Sequence, residues 1–189
     1  MARLEDCLED FETENVGLAC EIEDLDAGTS EHAYYALVEH VKEIKLPSGE
    51  AAKTFAGSVT IADAIEMHTG KKFSKINLQV DLNELTSNYV GNVGNLKTNS
   101  NFEGYIAGVQ AQLVGMQKKM RNKRIILLVP DNNGNTWLVG TVAKPARITS
   151  FDIATGKTDD DNNGATLNIM SKTNIYKYTA AIPLAEAGG

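Results

Sequence analysis

The chain has 189 residues, of which 42% are hydrophobic, 23% charged and 6% aromatic, with 16 Gly and 4 Pro. An ordinary apolar share and aperiodic glycine exclude disorder, collagen and coiled coil, and the length suits one domain with a sizeable core. No apolar run approaches the ~18 residues that cross a bilayer, and the acidic N-terminus lacks the basic-then-apolar order of a secretory signal, so a cytoplasmic origin is expected.

The formal charge of −7 is unevenly spread. Residues 1–31 hold eleven acids against Arg3 alone, a net −10, which leaves fourteen acids and seventeen bases, a net +3, in the remainder. An acidic head on a mildly basic body steers copies of the chain toward one another; the alternative is a solvated acidic arm. Cys7 and Cys20 show neither CxxC spacing nor a neighbouring His, which reads as reduced structural thiols.

In chain order, Leu4, Cys7, Leu8 and Phe11 stand at helical spacing among carboxylates, an amphipathic docking segment. Glu14 to Ser30 loses that period and reads as an extended arm. Residues 33–46 fit helix or strand, and the Pro47-Ser48-Gly49 turn and Tyr34, Tyr35 and Val38 favour a strand. Thr60 and Asp63 suggest an N-cap for a two-turn helix with Ile61, Ala64, Ile65 and His68 on one face, ended by Gly70. Between residues 73 and 82 comes a period-two strand: Ile76, Leu78, Val80 and Leu82 face one way, Asn77, Gln79, Asp81 and Asn83 the other.

Ser87 to Asn101 is rich in Asn, Gly and Ser and predicts a long projecting loop or ragged hairpin, with Tyr89, Val93 and Leu96 as apolar contacts. Ile106, Val109, Leu113, Met116 and Met120 predict the main helix, ended by Lys118, Lys119, Arg121, Lys123 and Arg124. Ile125–Val129 and Thr136–Val142 form a hairpin about Asp131-Asn132-Asn133-Gly134, and a second pairs Ala146–Ile153 with Ala165–Ile182 around a polar tip at residues 155–164. The expected class is mainly β (α+β): a β-sandwich or barrel-like domain at 33–183, one flanking amphipathic helix, an arm at 1–32 and a short tail at 184–189.

Catalytic patterns are not found. His32, His40 and His68 lie outside any metal-ligand spacing, GxSxG is missing, and the Gly91–Gly94 stretch lacks the Lys-Ser/Thr of a phosphate cradle. No nucleophile, base and orienting group can be named together, so no enzyme and no cofactor are expected. Asp159, Asp161 and Asn163 match the start of a calcium loop, but Met170 stands where a bidentate Glu is needed, and an Asn/Asp-rich hairpin tip is the simpler reading. The basic cluster lacks the interleaved aromatics of a nucleic-acid site, which favours contact with the acidic face of another copy.

The order of elements carries a resemblance: an alternating strand, a long polar loop, a strand leading into the helix, the DNNGN hairpin ending in WLVGTV, and a last hairpin closing with IYKYTAAIP. Over residues 35–183 this resembles the tail tube proteins of tailed bacteriophages. That resemblance implies a non-enzymatic virion subunit, assembled in the host bacterial cytoplasm into stacked, hexameric rings, with other virion proteins as partners and DNA as passing cargo. By order in the chain, the loop at Ser87–Asn101 and the arm, with Leu4, Leu8 and Phe11, would reach neighbouring subunits, and Asn77, Gln79, Asp81 and Asn83 would line the channel. The arm is longer and more acidic than the pattern requires. Capsid decoration, a head-to-tail connector, a secretion-tube relative or a monomeric loop-based binding module are the competing readings.

Overall fold

The computed structural model describes residues 14, 16, 25–158 and 160–185. Its centre is the run Ile125–Pro130 (β8), whose first five residues are all buried. Five consecutive apolar side chains point alternately to two faces, so this strand needs a core on each side. Ile125, Leu127 and Val129 enter one cluster; Ile126 and Leu128 enter another.

Around β8 lies a six-stranded sheet. His32–Leu37 (β1), Thr60–Ile61 (β3), Ser74–Asn77 (β5), Thr136–Val139 (β9) and Tyr176–Tyr178 (β12) join it in the order β3-β12-β9-β8-β1-β5. A four-stranded sheet covers one face in the order β10-β11-β7-β6, built from Glu84–Val90 (β6), Lys97–Ala107 (β7), Arg147–Ala154 (β10) and Gly164–Ser171 (β11). Phe102, Leu167 and Ile169 from that sheet meet Ala33, Leu127 and Val139 in the first core, which makes a β-sandwich. The opposite face is closed by the short pair Val41–Glu43 (β2) and Glu66–Met67 (β4) and by Ile61, Ile65 and Phe73. The fold is mainly β within the α+β class, with α-helices at Phe55–Val59 (α1) and Ala111–Met120 (α2) among the described residues.

Several local expectations are corrected. The 33–46 strand is divided by a 3-10 turn at Val38–His40, which redirects the chain from β1 to β2. The helix expected after Thr60 lies earlier: the Thr54 hydroxyl caps α1 by accepting from Gly57 N–H (3.0 Å), whereas Thr60 and Ile61 pair in parallel with Lys177 and Tyr178. In the main helix the stripe begins at Leu113, because Ile106 belongs to β7 and Gly108, at φ +81°, turns the chain before α2. The last return strand is two strands, β11 in one sheet and β12 in the other, joined by a crossing at residues 172–175. At the ends, Ser30 N–H donates to Pro130 O (2.9 Å) and Ala185 N–H to Phe73 O (2.9 Å), so parts of the arm and tail belong to the folded body.

Candidate functional site

The β6–β7 hairpin keeps register over seven residue pairs, from Glu84↔Glu103 to Val90↔Lys97. Its proximal half packs through Leu85 and Phe102, while Ser87 to Val90 are exposed, so the distal half projects beyond the core. The ragged-hairpin expectation therefore takes definite form. Around the tip, Tyr89 is 76%, Val93 98% and Leu96 52% exposed, an apolar group on a loop rimmed by amides. Leu4, Leu8 and Phe11 lie outside the described residues.

The four expected channel residues do not share a strand face. β5 ends at Asn77, and the following chain folds over: Leu78 N–H reaches Glu31 O (2.7 Å), Gln79 N–H reaches Tyr105 O (2.8 Å), and Asp81 adopts φ +61°. Asn83 is buried; its Oδ1 accepts from Tyr105 N–H (3.0 Å) and its amide nitrogen turns back to Gln79 O. Asn77, at the end of β5, and Gln79 and Asp81 beyond it are exposed. The strand ends at Asn77 and the buried-exposed alternation stops at the exposed Val80, beside Asp81, whose left-handed backbone breaks the pleat.

A polar face exists elsewhere. Register places Glu84, Glu103, Asn168 and Ser150 in one row across the four-stranded sheet, with Tyr105, Thr166 and Asp152 beside it, all opposite the core-facing Phe102, Leu167 and Ile169. Its carboxylates Glu84, Glu103 and Asp152 are exposed, and its bases, Lys97 and Arg147, stand toward one end. Glu84 sits directly opposite Glu103, a like-charge pair that a sheet selected for stability alone would avoid. The sheet also has two outer strands, β6 and β10. Sequence reading missed this face because its residues come from four strands whose pairing no local period reveals.

At the other hairpin tip, Asp161 Oδ2 accepts from Lys157 N–H (2.8 Å) and Thr158 N–H (2.9 Å), which lowers its pKa, and Asn163 Oδ1 accepts from Val109 N–H (3.1 Å). These oxygens brace the tip. Asp159 lies outside the described residues, and no group of three or more His, Cys, Asp or Glu side chains suited to a metal occurs among the described ones. No described helix is long and apolar enough to cross a membrane. Comparison with protein-family models, curated proteins and solved structures returned no match.

Proposed function

We propose that the chain is a non-enzymatic structural subunit that closes into rings and stacks into a tube, as the tail tube resemblance implies, with the outward face of the four-stranded sheet toward the channel. The observation that carries this reading is that sheet: one face packed, the other polar with three carboxylates and two bases at one end, and β6 and β10 as edge strands each paired on one side only. Open edges invite pairing between copies, and β6 of one copy against β10 of the next continues the sheet until a cyclic array removes every edge. A polar, acidic lining repels nucleic-acid phosphates and lets DNA pass without sticking. The projecting β6–β7 tip supplies apolar contact to a neighbouring subunit through Tyr89, Val93 and Leu96.

Size-exclusion chromatography and negative-stain electron microscopy of the purified chain test this directly. Rings or tubes with a central channel are expected. A monomer that persists at high concentration overturns the reading.

A further inference from the structure

The root of the arm is laid along the turn of the β8–β9 hairpin. Ser30 N–H donates to Pro130 O (2.9 Å), Thr29 pairs with Asp131, Asn132 Nδ2 donates to Ala27 O (2.7 Å), and Asn133 closes the series at Asp26. That last contact is made by a side chain in both directions: Asn133 Nδ2 donates to Asp26 O (2.8 Å), and Asp26 N–H donates to Asn133 Oδ1 (3.0 Å). A carboxamide carries a donor and an acceptor side by side, as a peptide group does, and so completes both halves of the pair.

The residue that makes this contact is followed by Gly134, and an asparagine amide is least durable before glycine. With no Cβ in the way, the next backbone nitrogen can reach the side-chain carbonyl carbon. Asn133 and Gly134 are both exposed, Gly134 stands at φ +80°, and a Cβ built on it would meet no atom within 4 Å. The Gly134 N–H makes a long bond to Asp131 O (3.4 Å), a weak hold on that nitrogen. The chain has a second Asn-Gly pair, Asn163-Gly164, in a different setting. Gly164 is buried and paired with Ala107, while Asn163 O accepts from Gly108 N–H (2.8 Å) and its Oδ1 from Val109 N–H (3.1 Å). A backbone held in a ladder on that side resists folding into a ring.

We infer that Asn133 is a deamidation site and that its conversion unlatches the arm's root from the hairpin turn. The Gly134 nitrogen, giving up its proton, attacks Asn133 Cγ; the Cγ–Nδ2 bond breaks, and the nitrogen leaves as ammonia with that proton. Water then opens the cyclic imide to aspartate or, by attack at the other carbonyl, to isoaspartate, with no change of oxidation state. Either product lacks the carboxamide. A carboxylate still accepts from Asp26 N–H, but it has no hydrogen for Asp26 O, and it adds a negative charge beside the exposed Asp26. Isoaspartate also inserts a methylene into the backbone of the turn, next to the Asn132–Ala27 contact. The change is irreversible, so it records the age of each copy, and it does not depend on ring formation.

The test ages the full chain in mildly alkaline buffer at physiological temperature, where the Gly134 nitrogen loses its proton more readily. Peptide mass mapping, isoaspartate-specific methyl transfer and amide deuterium exchange follow the outcome. Aspartate and isoaspartate are expected to accumulate at position 133 while Asn163 stays intact, and Gly134→Ala should slow the conversion by about tenfold or more. Deuterium uptake over residues 26–30 should rise in the aged fraction, and Asn133→Asp should reproduce the rise without ageing. Amides of Ile126 to Leu128 must stay protected in every sample, which separates unlatching from unfolding; the aged native chain carries the same readout if the variant does not fold. An Asn133 that survives ageing, or an Asn163 that converts as fast, overturns the site. Conversion at position 133 with unchanged exchange over residues 26–30 overturns the unlatching.

Discussion

Asp131 gathers more hydrogen bonds than any other described carboxylate. Oδ1 accepts from Asn133 N–H (3.0 Å) and Asn135 N–H (2.7 Å), and Oδ2 from Asn135 Nδ2 (3.0 Å) and Trp137 Nε1 (2.8 Å). Burial pushes its pKa up, but the donors from Trp137, Asn135 and Asn133 together outweigh burial and hold it below the ordinary 3.8. A depressed folded-state pKa means the carboxylate stabilises the fold above about pH 4 and that this contribution fades as pH falls through the lowered value. Asp131→Asn would point an NH2 at one pair of donors and should cost about 1–2 kcal/mol. Urea titration measures the cost, and fluorescence of Trp137, the sole tryptophan, should shift to the red. Acid titration of the native chain should show a step in that same signal which the variant lacks. Gly140 is a second sensitive point: φ is +89°, and an added Cβ would sit 2.6 Å from Ala146 N. Gly140→Ala should therefore lose about 2 kcal/mol or more in the same titration. The DNNGN run was legible as a turn, since Asn, Asp and Gly favour one. That Asn132 and Asn133 grip the arm was not, because partners 105 and 107 residues away leave no local pattern.

Helix α2 shows why patterns blur where elements meet. Ile106, Met116 and Met120 all approach the same core, but Ile106 does so from a strand, and a shared core imitates one continuous helical stripe. Propensity could not separate them; the break is made by Gly108 at positive φ and by Val109 N–H bonding to Asn163 Oδ1. Once formed, the helix is tied to β10 by Gln117 Nε2 donating to Phe151 O (2.7 Å). Gln117→Ala should lower stability by about 1 kcal/mol, read as a reduced urea midpoint at unchanged slope. The β5 misreading has the same origin: Ile76 and Leu78 do face the core, and the alternation runs on through Val80 and Leu82, which are 51% and 42% exposed. Apolar alternation signals a strand only while the backbone stays extended.

At the scale of the molecule, the sandwich was legible because hairpin turns and β-branched runs are local, while the division into six and four strands depends on long-range pairing. The acidic sheet face carries a stability cost of its own. Replacing Glu84 by Gln relieves the repulsion against Glu103 and should raise stability by up to about 1 kcal/mol, and under the proposed function the rings or tubes of that variant should retain DNA more strongly in single-particle images. A stability gain without any effect on DNA retention would remove the channel role from this face. The central strand has one more consequence. Because β8 is roofed on both sides, the two cores share a single wall, and neither can loosen without the other. Amide deuteration at Ile126 to Leu128 should thus await complete unfolding of the chain, and should be as slow in a lone copy as in a polymer; the hairpin tip at Tyr89 to Leu96 should slow its isotope uptake only when neighbours arrive.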